Sequence, residues 1–223
     1  MILLVVACSY ENKVCEFQSE DLELTIYNNV LTDLIENRMH SRYLGGIEDK
    51  IFDKYDYNSQ DTIKIKNEIA KAQNSIFNEP SKFCTLYLDT LKRAVHSPWF
   101  YLDTARNNYA KEMKQLISQY TENGQGAVDS LNQIQTRYSG GDFGLCTSRI
   151  KNLRDLNKND TSECVFGRLR LSKIVLDDSK TKGMIYYDWH CGSIGLCGHG
   201  GLILFERQGN RYKIKDLLID GVY

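Results

Sequence analysis

The chain has 223 residues, of which 42% are hydrophobic and 26% charged, and its formal net charge is −1. That composition excludes a disordered or fibrous chain and fits one globular domain, of a size that buries about 70% of its unfolded surface. Near-neutral charge with scattered Lys and Arg argues against a nucleic-acid partner, which requires a basic stripe to neutralise phosphates.

Met1 to Ala7 is wholly apolar and Cys8 opens a polar run. Seven residues are too few to cross a bilayer, which takes about twenty, and they lack the basic region of a full signal peptide. Val5-Val6-Ala7-Cys8 resembles a bacterial lipobox, in which small apolar residues precede the cysteine that receives diacylglycerol. The expectation is a truncated signal over 1–8 with the lipid on Cys8, a polar tether over 9–19, and one domain over 20–223. Acyl chains on one cysteine anchor firmly, since each buried methylene contributes about 0.8 kcal/mol. The plainer alternative is an N-terminal strand carrying an ordinary buried cysteine.

From residue 20 to about 140 the pattern is helical. Leu24, Tyr27, Leu31, Leu34 and Ile35 recur every three to four residues, the stripe of an amphipathic helix. Asp49 to Asn58 reads as irregular. Ile65, Ile69, Ala72 and Ile76 mark a second helix that opens near Asp61 and stops before Pro80. Phe83 to Leu88 reads as a short strand. The aromatic run Pro98 to Tyr101 precedes a third helix through Tyr109, Met113, Leu116 and Ile117. Gly124 and Gly126 break it, and Val128, Leu131 and Ile134 outline a fourth. Ser139 to Asp142 is a turn, and Phe143 to Leu156 is ambiguous between helix and strand.

From about 143 to the end the pattern is that of strands. Val165 to Leu176, Met184 to His190 and Gly201 to Glu206 are rich in apolar, β-branched and aromatic residues. Gly209-Asn210 is a two-residue hairpin signal. After it, Tyr212 to Ile219 alternates in a way that starts half-exposed and ends buried. Short connections favour an antiparallel meander, because parallel neighbours need long crossovers. Helices first and sheet second give an α+β fold, with N-terminal helices on a C-terminal antiparallel β-meander.

The tail resembles one found in uncharacterised lipoproteins of Bacteroidetes-type bacteria. The residues that carry the likeness are Tyr186, Tyr187, Cys191, Gly192, Leu196, Cys197, Gly198 and Gly200, with further blocks at Tyr27 to Glu36 and Cys84 to Thr90. That family usually closes on a Trp-containing segment, where this chain has Ile219-Asp220-Gly221-Val222-Tyr223. The resemblance implies an envelope location and an oxidising compartment, and no activity.

With Cys8 lipidated, six of the seven cysteines remain, an even number that fits disulfides outside the cytosol. Cys191 with Cys197 bridges a corner holding five glycines in eleven residues; closing so short a loop contributes about 2 kcal/mol. Cys146 with Cys164 is the next expected pair, and Cys15 and Cys84 are left undecided. A zinc reading of His190, Cys191, Cys197 and His199 meets an objection, since adjacent strand residues point to opposite faces. No metal and no cofactor are expected.

Catalytic signals are sparse. Asp188 and His190 lie two apart, on one strand face, where a carboxylate can orient an imidazole for proton transfer. The plainer reading is a solvent-facing polar pair behind Tyr187 and Trp189. His40, after Arg38-Met39, suits a helix C-terminus, and His96 reads as a loop residue. Asp142-Phe143-Gly144 matches a kinase magnesium motif by chance, with no phosphate loop or catalytic loop beside it. The expected function is that of a lipid-anchored, periplasmic or surface-facing binding module, its partner an envelope protein or small ligand. A hydrolase using Asp188 and His190, or a structural envelope component, are the alternatives.

Overall fold

The computed structural model describes residues 17, 19–39, 46–55, 61–90, 108–121, 124–157, 164–191 and 197–222. Among them the chain forms five helices: Leu22–Arg38 (α1), Gly46–Phe52 (α2), Thr62–Phe77 (α3), Asn108–Tyr120 (α4) and Gly124–Leu131 (α5). The strands are Thr85–Leu88 (β1), Arg149–Asn152 (β2), Val165–Leu171 (β3), Val175–Leu176 (β4), Lys182–Cys191 (β5), Gly198–Gln208 (β6) and Arg211–Val222 (β7). The fold is α+β. Cys8, Cys15, His40, His96 and the aromatic run at 98–101 lie outside the described residues.

All seven strands join one sheet in the order β2-β1-β3-β5-β6-β7, with β4 on the end of β5. The last three strands make the antiparallel meander. Its two-residue Gly209-Asn210 loop has Gly209 at φ +63°, the left-handed turn conformation that glycine adopts without steric cost. The sheet is nevertheless mixed, because β1 runs parallel to both β2 and β3. The long excursion through α4 and α5 supplies the crossover that parallel pairing needs.

Strand β5 is central, and its side chains alternate between two cores. Ile185, Tyr187 and Trp189 face α1, whose Ile26, Tyr27, Val30, Leu31, Leu34 and Ile35 are all buried against them. Met184 and Tyr186 face the opposite way, onto Ile117 and Tyr120 of α4 and Ala127 and Leu131 of α5. Helix α1 starts at Asp21, whose Oδ1 accepts the amides of Glu23 (3.0 Å) and Leu24 (3.3 Å) and so satisfies two donors of the first turn. Buried polar groups tie it to the sheet. The Tyr27 hydroxyl donates to the Ser172 carbonyl at 2.6 Å, and Asn28 Oδ1 accepts the Gly144 amide at 2.9 Å.

Several local expectations are corrected. Asp49 to Asn58 was expected to be irregular, yet its start belongs to α2. The ambiguous 143–156 stretch resolves into β2 flanked by 3-10 turns at Gly140–Asp142 and Leu153–Asp155. The strand expected from Val165 to Leu176 breaks at Ser172, whose hydroxyl takes the Tyr186 amide (2.8 Å) that a continuous ladder would have used. Strand β7 does not end buried: Ile219 is 50% exposed, since β7 is an edge strand.

Among the described residues, disulfides join Cys84 to Cys164 and Cys191 to Cys197. The expected Cys146–Cys164 bridge is therefore wrong, although Cys146 is itself disulfide-bonded. The reason is register. Cys84 and Cys164 each immediately precede a strand, β1 and β3 are parallel neighbours, and the two Cα atoms stand 4.7 Å apart. Cys191 and Cys197 close the β5–β6 hairpin at a Cα separation of 5.3 Å. Because the first bridge spans 80 residues and the second 6, the Cys84→Ser/Cys164→Ser double variant is expected to lose about 4 kcal/mol and Cys191→Ser/Cys197→Ser about 2 kcal/mol. Urea unfolding midpoints of the two double variants check the order.

Candidate functional site

The face of the sheet turned towards α4 and α5 is apolar over half its length and polar over the rest. Along β5, Met184 and Tyr186 give way on the same face to Asp188 and His190. Their neighbours across β3 are Arg170, opposite Asp188, and Arg168, opposite His190. Across β6 they are Gly200 and Gly198, which bring no side chain. Strand β1 adds Thr85 and Tyr87 on this face, both fully buried, and Asp89 just past its end.

One guanidinium organises the group. Arg170 Nε donates to Asp89 Oδ2 at 2.8 Å, and its Nη1 lies 3.4 Å from Asp188 Oδ2. Asp188 is 1% exposed and Asp89 5%, so both charges sit in a region where an unpaired carboxylate is costly. The Nε2 of His190 stands 3.3 Å from both oxygens of Asp188, while the side chain stays 27% exposed. Asp188 Oδ1 is buried with no well-directed hydrogen bond. The expectation of a solvent-facing Asp188 is thus corrected: the pair shares a strand face, but that face is covered. A carboxylate in contact with an imidazole fixes the ring's orientation. This is an orienting group beside an imidazole that still reaches solvent.

Two members of the group, Asp89 and Arg170, escape sequence reading because they are 81 residues apart. The available signal is the Arg168-Leu169-Arg170 alternation, which sets two cations on one face of a strand whose other face is apolar. The opposite side of the same hairpin holds His199, whose Nδ1 is 2.7 Å from the Tyr187 hydroxyl and whose ring lies 5.2 Å from that of Trp189. His190 and His199 therefore face apart, and the sulfurs of Cys191 and Cys197 are bonded to each other, so the four do not converge as a metal site. The Cys191–Cys197 bridge closes the strand end that carries His190. Gly167, paired with Cys191, has φ +151° and lies against the Trp189 indole, where any Cβ would collide.

No helix among the described residues is long and apolar enough to cross a membrane. The disulfides are those of a chain that folds in an oxidising compartment outside the cytosol. Comparison with protein-family models, curated proteins and solved structures finds no match. Fold and site together define a disulfide-stapled α+β domain of an oxidising compartment, with a buried acid–guanidinium–imidazole cluster.

Removing one partner from a buried ion cluster leaves the others uncompensated, which costs about 3–5 kcal/mol. Arg170→Met is expected to lose stability on that scale, whereas His190→Gln, at the solvent edge, should lose less than about 1 kcal/mol. Chemical denaturation of the two variants reads the difference.

Proposed function

We propose that the chain is a binding or interaction module of a bacterial envelope, held by a lipid on Cys8 and facing the periplasm or the cell surface. The observation that carries this reading is the Cys84–Cys164 bridge, which staples the starts of two parallel strands and belongs to an oxidising compartment. The lipobox-like Val5-Val6-Ala7-Cys8 supports attachment at the first of the cysteines. A purely structural envelope component would present a broad apolar patch. The large exposed hydrophobics among the described residues are instead Ile47, Ile63 and Ile219, one each on α2, α3 and β7.

A second reading, hydrolysis, is favoured by the carboxylate–imidazole geometry of Asp188 and His190. In it His190 is the general base and Asp188 its orienting group, an arrangement worth roughly 10²–10⁴-fold in rate.

Radiolabelled palmitate is expected to enter the full chain in a lipoprotein-processing host and to be absent from Cys8→Ala at equal expression. An unlabelled wild-type chain would overturn the anchor. If the hydrolase reading holds, turnover on an ester and peptide panel is lost in His190→Ala while the melting temperature is kept.

A further inference from the structure

Strands β2, β1 and β3 lie side by side in that order and run parallel. The chain leaving β1 goes to β2 on one side, and the chain leaving β2 passes β1 to reach β3 on the other. The space beyond the carboxyl ends of parallel strands is where such sheets take ligands.

A cleft of about 290 Å³ lies at that position, bounded by the ends of β1 and β2 and by the loop around Thr136 to Ser139. Much of its polar lining is already committed. Asn152 Oδ1 accepts the Gly140 amide at 2.9 Å and its Nδ2 donates to Asp155 at 3.3 Å. Arg137 pairs with Asp21 at 2.6 Å and Glu23 at 3.4 Å. The Tyr138 hydroxyl donates to Asp21 at 2.8 Å, and burial together with that bond raises its pKa far above the ordinary phenol range, so it stays protonated. Three lining groups are left over. The hydroxyls of Thr90 and Thr136 take no hydrogen-bond partner among the described residues. Arg154, on the 3-10 turn after β2, has an 81% exposed side chain and, among the described residues, a single long contact, 3.8 Å to Asp155.

We propose that this cleft binds a small carboxylated polyol of the sugar-acid class, its carboxylate in the fork of Arg154 and its hydroxyls on Thr90 and Thr136. The proposal rests on the binding-module reading and names the ligand class for it. A guanidinium matches a carboxylate through two parallel hydrogen bonds. Threonine hydroxyls both donate and accept, which suits alcohols. Ligand pockets run from about 300 to 1,000 Å³, and a cleft of about 290 Å³ holds one sugar ring. An apolar ligand would leave all three groups unused, and a phosphate dianion would bring more charge than one uncommitted guanidinium balances.

The test is calorimetric titration of the full chain with D-glucuronate, D-glucose and inorganic phosphate. Glucuronate is expected to bind saturably and at least tenfold more tightly than glucose or phosphate. Arg154→Ala should weaken it at least tenfold, equivalent to about 1.4 kcal/mol, and Arg154→Lys by less. Arg207→Ala, on the distant β6–β7 hairpin, should leave it unchanged, and melting temperatures confirm that each variant is folded. Absence of saturable glucuronate binding, tighter phosphate binding, or affinity indifferent to Arg154 overturns the proposal. Such a failure in a palmitate-labelled chain leaves the envelope-module reading standing. An unlabelled chain that binds glucuronate through Arg154 does the reverse.

Discussion

The guanidinium of Arg170 lies between two carboxylates that the chain would otherwise have to bury uncompensated. Asp89 ends a strand of the parallel part of the sheet, Asp188 sits on the central antiparallel strand, and β3, which carries Arg170, is the strand that both parts share. The interaction therefore ties the two pairing modes together at their common neighbour. It also fixes the relative slide of β1 and β5, which do not pair directly. Buried ion clusters add little net stability compared with apolar packing, but they penalise every arrangement that leaves one member alone. In this fold the penalty falls on any register of β3 other than the one observed.

Because β5 is covered on both faces, its sequence departs from simple alternation: Gly183 through Trp189 are all buried. One face keeps apolar side chains to the end, with Trp189 resting on Gly167 and Phe166. The other turns polar from Asp188 onward, opposite the side-chain-free Gly198 and Gly200. The polar side chains of β5 are thereby confined to one end of one face, next to a disulfide that holds the hairpin mouth. The cleft beyond β1 and β2 is lined by other side chains, although Asp89 of the cluster stands in the chain between Leu88 and Thr90 of its lining.

The meander was legible because its signals are local. Period-two patterning, a Gly-Asn turn and a glycine-rich corner each act over a few residues, and they place β5, β6 and β7 close to where they occur. The same holds for α1, whose apolar stripe and Asp21 cap are adjacent in the chain. Parallel pairing was not legible. The four-residue β1 and β2 carry too little pattern to announce their partners, and β1 joins strands that come about 60 and 80 residues later. The same blindness misassigned Cys164, since which cysteine stands beside it depends on the parallel register and not on distance along the chain. It also hid Asp89 and Arg170 from the polar cluster that Asp188 and His190 only begin.

By itself the sequence determined the class of fold, the existence of a stapled carboxy-terminal hairpin, and the placing of Asp188 and His190 on one strand face, because each follows from spacing within a single element. Only the tertiary structure decided that the face was buried, that Arg170 would serve two acids at once, and that Cys84 would meet Cys164. Those outcomes depend on which strands become neighbours, and that is set by how the two cores close over the sheet rather than by any one segment's pattern.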